Sequence, residues 1–397
     1  MFKKIFFGLL ATVIFSFNVL AQDSDTTSVV KGMNEFAFDL YGQLKSQDGN
    51  LFCSPYSISA ALTMAYAGAS GNTEAEMTKV LHLTLPQNRI HPAMSEVIGA
   101  TKPGAGGYEL VTANALWGQQ GYDFLPDFVS LTQKYYGAGF NAVDFKNQTE
   151  SARLTINSWV SEQTKQKIND LLAPGVLTDL TRLVLTNAIY FKGNWAVQFK
   201  KEDTHDLPFY LGGGKTVNAP LMYRKGKYKY VETDSLQVLE LPYFGEELSM
   251  VVLLPKAKDG LAGLENELSA DKLDEWLSQA YTNEVMVYLP KFKLESKFLL
   301  NQTLADMGMV DAFSVKADFS GIESKKELMI TAVVHKAFVE VNEEGTEAAA
   351  ATAVVFGLKS MAVMEPEFKA DHPFIFLIRD NRSGAILFIG RVNDPSK

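Results

Sequence analysis

Residues 182–191 read RLVLTNAIYF. A strand with one wet face alternates apolar and polar side chains. This run is nearly all apolar, which predicts a strand buried on both faces. Such a strand needs a packed layer above it and another below. Length alone would suggest that the 397 residues make two or three domains. No Pro/Ser-rich linker, charge block or internal repeat divides them, so a single large core fits better.

The rest of the chain sorts into helices early and strands late. Phe36, Leu40, Tyr41 and Leu44 recur at helical spacing. Residues 54–66 are so apolar that a helix there should be buried on all sides. Asn72 or Thr73 is placed to cap a third helix, with Glu74 and Glu76 in its first turn. Strands are expected at 108–118 and 138–145, and a helix at 151–168 carrying Trp159. Short strands follow at 228–231, 238–243 and 248–255, helices at 261–280, then strands at 284–293, 329–343, 373–378 and 385–392. Strands gathered late that must pair over long sequence distances give an α+β pattern built on large sheets.

The first residues have the form of a targeting signal. Lys3 and Lys4 precede an apolar run, 5–20, that ends at Ala21. That is the pattern of a secretory leader covering 1–21, with Gln22 as the new N-terminus and 22–397 as one domain. A retained membrane anchor is the alternative. An exported chain, extracellular or periplasmic, is therefore expected. Loss of the two lysines would take the formal charge from −9 to −11. An acidic, mixed-charge surface argues against nucleic acid as a partner. Lys102 is the one lysine or arginine within 90–104, so there is no basic helix stripe for a polyanion. Cys53 is the one cysteine, which excludes an intramolecular disulfide. Its apolar surroundings suit a buried small hydrophobe better than a reactive thiol.

Several apparent motifs fail on inspection. The segment GGGKT at 212–216 lacks the earlier glycine of a phosphate loop, Phe209 standing there instead, and reads as a hairpin turn. The five histidines are scattered, with no HExxH pair, and no GxSxG elbow is present. Asp371 and His372 are neighbours and cannot both serve one nucleophile on a regular element, so their reading is structural. No enzyme, metal or cofactor is expected.

Residues 340–360 read EVNEEGTEAAAATAVVFGLKS. Every second residue from Thr346 (Ala348, Ala350, Thr352, Val354, Phe356, Leu358) is free of charge, and the series grows in size. That period of two gives one face fit for burial and one fit for water. Gly345 supplies a backbone hinge. No proline lies between Glu340 and Glu365, so each residue can donate to a ladder. Ala348, Ala349, Ala350 and Ala351 favour neither strand nor helix strongly. Taken alone, the segment also reads as a surface helix with a flexible start.

Five segments tip the balance. They are EEGTEAAAAT (343–352), FKADHPFIFLIRD (368–380) with ILFIGRV (386–392), NLFCSPYSI (50–58), NAIYFKGNW (187–195) and PKFKLE (290–295). Together, in their order along the chain, they resemble the serpin family over nearly the whole length after the leader. The resemblance implies three β-sheets, eight or nine helices, and an exposed reactive loop at about 343–366 above a central five-stranded sheet. It implies an irreversible inhibitor of serine proteases: the protease forms an acyl-enzyme on the loop, and the cut loop inserts into the sheet as an extra strand. The hinge would be Glu343, Gly345, Thr346, the four alanines and Thr352. Ser54, Ser57, Asn187 and His335 would form a polar cluster gating the sheet. Trp195, Lys291 and Glu343 would mark where insertion begins, with an ion pair between the last two. Charge reversal at Glu343 is then expected to give loop–sheet polymers on a native gel; unchanged monomer yield and inhibition would refute the pair's role.

The resemblance sets the scissile bond between Lys359 and Ser360. A lysine there suggests trypsin-like targets; a shift to Leu358 or Met361 would favour chymotrypsin- or elastase-like ones. A monomer with no cofactor is expected. The rival is a non-inhibitory serpin acting as carrier, chaperone or storage protein, whose usual mark is a charged or bulky residue at the hinge threonine, or proline among the alanines. Thr346 and the alanines argue against it.

Overall fold

The computed structural model describes residues 5–102, 107–137, 140–346 and 365–397. In chain order they form α1 (Ile5–Leu44), β1 (Leu51–Cys53), α2 (Pro55–Tyr66), α3 (Gly71–Val80), α4 (Gln87–Ala100), β2 (Tyr108–Gln119), α5 (Pro126–Tyr136), β3 (Phe140–Val143) and α6 (Thr149–Gln163). Then come β4 (Leu183–Asn194), β5 (Thr204–Leu211), β6 (Lys215–Glu232), β7 (Leu236–Pro242), β8 (Leu248–Pro255), α7 (Leu261–Glu267), α8 (Ala270–Gln279), β9 (Tyr281–Pro290) and β10 (Phe292–Leu299). The series ends with α9 (Asn301–Asp306), β11 (Ile330–Val341), β12 (Gly345–Thr346), β13 (Glu367–Lys369), β14 (Phe374–Asp380) and β15 (Ile386–Val392).

Local chemistry explains most boundaries. Ser54 caps α2 by accepting from the Ser57 amide, and Pro55 sits at its first position, where no amide bond is lost. Every residue of α2 is buried, as its apolar circumference requires. Two expected helix boundaries differ. Helix α3 begins at Gly71 with Ser70 at the cap position and no side-chain cap bond, so neither Asn72 nor Thr73 caps it. Their side chains serve other contacts: Asn72 bonds Glu76 and Asp311, and Thr73 accepts from the Asp318 amide. Helix α6 spans 149–163 rather than 151–168, because Lys165 and Gln166 take positive φ and end it. The single strand expected at 284–293 is two strands, β9 and β10, parted at Lys291, and α4, α5 and α9 lie where no helix is expected. The backbone of α1 runs unbroken past Ala21 and Gln22. Among the described residues no helix is long and apolar enough to cross a membrane.

The strands form two hydrogen-bonded networks. One has nine strands in the order β1-β15-β14-β8-β7-β6-β9-β13, with β5 beside β6. The other has the order β10-β11-β4-β2-β3, with β12 beside β4. The architecture is the expected α+β fold with a five-stranded central sheet and, among the described residues, nine α-helices. The expected three sheets are joined into two networks by β6. This strand is 18 residues long, pairing with β5 and β9 over residues 215–230 and with β7 over 229–232. The glycine-rich segment at 212–214 is the β5–β6 turn, and Gly213 and Gly214 have the positive φ that it needs.

Strand β4 lies in the middle of the second network and is buried on both faces, as its composition predicts. Leu183, Leu185, Ile189 and Phe191 face the main core shared with the larger network. Val184, Ala188 and Tyr190 face a second core, with Ile156 and Val160 of α6 and Leu171 and Leu172 of the segment after it. Cys53 is fully buried, and burial pushes its thiol up to about 12, so it packs as a hydrophobe.

Candidate functional site

The site is the seam between β4 and β11. These two strands run parallel and are paired from Ile330–Leu183 to Phe338–Tyr190. Once parted, two parallel neighbours can take between them one strand that is antiparallel to both and bonded to each.

At mid-seam, three adjacent strands place Asn114, Asn187 and His335 in one row by register. Beneath them lies the start of α2, with Ser54 and Ser57 fully buried. The Ser54 amide donates to His335 Nε2 at 3.1 Å, so Nε2 is the bare nitrogen. Nδ1 then carries the proton and donates it to Asn187 Oδ1. Asn187 Nδ2 donates at 2.6 Å to both Ser57 Oγ and Asn114 Oδ1. Ser57 Oγ donates to Asn114 Oδ1, and Ser54 Oγ to the Leu387 carbonyl. Each buried polar group in the cluster has a partner. Burial alone pushes the His335 imidazole down to about 3. The four residues predicted for the cluster do meet; Asn114 was missed. Its one signal is a polar side chain amid the alanines and leucine of 113–116.

At the upper end the chain leaves β11, bridges Asn342 back to Gly345, and turns onto β4. Gly345 and Thr346 pair antiparallel with Asn194 and Gly193. Gly345 has φ +134°, and a Cβ there would stand 2.3 Å from the Gly193 carbonyl oxygen and 2.6 Å from Asn194 Cα. Only glycine fits. The turn is held by backbone and indole donors. Trp195 N–H and Phe199 N–H donate to the Glu344 and Glu343 carbonyls, and Trp195 Nε1 donates to Asn342 O at 3.0 Å. Tyr243 stacks on the indole at 4.8 Å.

The predicted ion pair is present. Lys291 Nζ lies 2.9 Å from Glu343 Oε2, and Thr204 Oγ1 donates to Glu343 Oε1 at 2.9 Å. Burial would raise the Glu343 carboxyl, but bonds from Lys291, its own backbone and Thr204 outweigh that and hold it below the usual range. Sequence reasoning missed Thr204 and the pair between Lys201 and Glu344 at 2.8 Å. A cleft of about 380 Å³ opens here, lined by Lys201, Lys291, Glu343 and Glu344 among others. Thr346 is described in its backbone only. Ala348, Ala349, Ala350, Ala351, Thr352, Lys359 and Ser360 lie outside the described residues.

The Asp371–His372 pair is buried, and both imidazole nitrogens are occupied. Nδ1 lies 2.8 Å from Asp371 Oδ1 and Nε2 lies 2.6 Å from the Pro255 carbonyl, so neither ring nitrogen is left for a nucleophile. Among the described residues no group of His, Cys, Asp or Glu is arranged to hold a metal.

Comparison with known proteins agrees with this geometry. A family model described as "Serpin (serine protease inhibitor)" matches residues 31–395. The human leukocyte elastase inhibitor is 46% identical over 91% of this chain and 97% of its own length. Its counterpart in Xenopus tropicalis is 45% identical over the same shares. Among solved structures, uncleaved ovalbumin superposes with a TM-score of 0.84 at 33% identity, covering 92% of this chain and all of its own. Serpin48 of the insect Tenebrio molitor gives 0.82 at 34%, covering 92% and 98%. The match spans the seam, the hinge and the closing strands alike, and the chain belongs to the serpin family of serine protease inhibitors.

Proposed function

We propose that this chain is an irreversible, suicide-substrate inhibitor of serine proteases, which traps the acyl-enzyme by inserting its cleaved loop between β4 and β11. The observation that carries this reading is the register of Gly345 and Thr346 on Asn194 and Gly193. Continued residue for residue, that register sets Ala348, Ala350, Thr352, Val354 and Phe356 beside Phe191, Ile189, Asn187, Leu185 and Leu183. The bridge from Asn342 to Gly345, continued likewise, sets the first four beside Val339, Ala337, His335 and Val333. The apolar members of both rows belong to the main core. Directly opposed residues share a face, so the charge-free set would enter that core and Glu347 would fall on the other face. A slip of one residue would reverse this. Thr352 would then stand between Asn187 and His335, in place of the bond that now closes the seam.

Cleavage between Lys359 and Ser360 favours a trypsin-like target, whose specificity pocket holds an aspartate. A second specificity is favoured by the relatives named leukocyte elastase inhibitor, at 46% identity for the human protein. Leu358 or Met361 would then take the reactive position. Incubation with trypsin, chymotrypsin and an elastase, followed by a denaturing gel and sequencing of the released fragment, separates these readings. A covalent band of summed mass with trypsin and a fragment beginning at Ser360 is the expected result. Cleavage without a covalent band by any of the three would favour the carrier or chaperone reading and end the inhibitory one.

Export as a monomer goes with this function. The basic-then-apolar start precedes the family match, which begins at residue 31. Production in a secreting host should yield an N-terminus at Gln22; a retained Met1 on the exported protein would refute it.

A further inference from the structure

Behind the indole that holds the hinge there is a second hollow, of about 40 Å³. Trp195, Phe199 and Pro242 are among its apolar walls and Arg224, Lys227 and Tyr228 bring polar side chains, with no carboxylate among the lining residues. A water needs roughly 10–15 Å³ of such space and a drug-sized ligand roughly 300–1,000 Å³. The hollow therefore suits a guest little larger than water.

Its polar groups are unspent. Tyr228 is 5% exposed, and its hydroxyl is fully buried with no hydrogen-bond partner. A buried hydroxyl left unpaired is costly, and native structures keep few of them. Arg224 donates through Nη1 to the Val197 carbonyl, and its guanidinium lies 5.6 Å from the Tyr228 ring centre. Nη2 makes no hydrogen bond to another described residue. Residues 224, 226 and 228 share one face of β6 by their period of two. The middle one is Gly226. A Cβ built on it would stand 3.2 Å from Arg224 Nη2 and 3.3 Å from Tyr228 Oη. The two donors thus converge on space that only a glycine leaves open. Burial pushes the guanidinium down and the phenol up, so both are short of solvation.

We propose that Arg224 and Tyr228, over Gly226, bind one compact anion: chloride, or the oxygen edge of a phosphate. Guanidinium and phenol donors facing a site without acids recognise negative charge. The anion would back directly onto Trp195 and Phe199, whose amides hold the Glu344 and Glu343 carbonyls.

The test titrates sodium chloride, and separately sodium phosphate, into the full chain at constant ionic strength set by a bulky organic anion. The melting midpoint is followed for the native chain, Tyr228→Phe and Arg224→Gln. The native midpoint should rise and saturate with at least one anion, and the saturating one names the ligand. Both variants should lose most of that rise. Before any anion is added, Tyr228→Phe should melt at or above the native chain, because it removes an orphaned hydroxyl. At saturation the order should reverse. If Arg224→Gln fails to fold, the reversal for Tyr228→Phe decides alone. A native midpoint that never saturates, or the same rise in all three proteins, would overturn the site.

Discussion

At mid-seam, Asn187 and His335 face each other across β4 and β11 in a cluster of neutral groups in which Ser54, Ser57, Asn187 and His335 are fully buried. Some residues higher, Glu343 meets Lys291 at the rim of an open cleft, and the chain itself, through Gly345 and Thr346, lies on the end of β4. The same two strands are thus held in two ways. The middle depends on buried polar groups bonded to one another, so loss of a shared partner leaves a donor unpaired away from water. The upper end depends on backbone bonds and charges with solvent beside them, and water can replace what is lost. The middle should set global stability and the top should set how readily the hinge moves.

Replacing Asn187 by Ala is the hardest blow to that contrast. It orphans His335 Nδ1–H and removes donors from Ser57 Oγ and Asn114 Oδ1. The unpaired N–H costs about 1–3 kcal/mol and each of the two other lost hydrogen bonds about 1 kcal/mol, so the loss should be about 3–5 kcal/mol. Guanidinium unfolding would register it as a lower midpoint. Glu344→Gln at the top, which weakens only the pair with the exposed Lys201, should leave the midpoint almost unchanged. Equal costs at the two positions would erase the distinction.

Acid offers a gentler probe of the middle. His335 accepts the Ser54 amide through Nε2, so protonation would set two donors against each other. Its imidazole is pushed down to about 3 in the fold, from about 6.5 when unfolded. Between those values the unfolded chain binds the proton and the native one does not. The His335 contribution is therefore intact above about pH 6.5 and is lost as pH falls toward 3, amounting to about 2 kcal/mol by pH 5. Unfolding free energies at pH 7.5 and pH 5 for the native chain and His335→Gln isolate it. The variant should show the shallower fall, and parallel falls would mean that His335 does not titrate with opening.

How far the sequence discloses this seam depends on the range of the interactions involved. The burial of β4 was legible because an unbroken apolar run needs no knowledge of neighbours. The hinge alternation was legible for the same reason. Ser54, Ser57, Asn187 and His335 were reached only through resemblance, since nothing local ties residues 54 and 335 together. Asn114 and Thr204 escaped because their partners, Asn187 and Glu343, are 73 and 139 residues away. The start of α3 and the end of α6 were misjudged where Asn72, Thr73 and the positive-φ pair Lys165–Gln166 answered to tertiary contacts and local backbone rather than propensity. The two-network sheet pattern follows from the length of β6, and local periodicity cannot tell one long strand from two short ones.

A substitution at Gly345 should also cost little global stability. An alanine methyl there would overlap the Gly193 carbonyl, and φ +134° would be strained whatever the space. Strand β12 is only two residues long, so the hinge can lift away from β4 instead of distorting it. What is lost is a pair of ladder contacts that water replaces, on the order of 1 kcal/mol. The melting midpoint of Gly345→Ala should therefore stay near that of the native chain. Amide exchange should report the change locally: Trp195 and Phe199, which donate to Glu344 and Glu343, should exchange faster. The amide of Asn187 should keep its protection, because the mid-seam cluster does not touch the hinge. If Asn187 were to exchange faster in step with Trp195, the seam would open as one unit, and the division between its middle and its top would have to be abandoned.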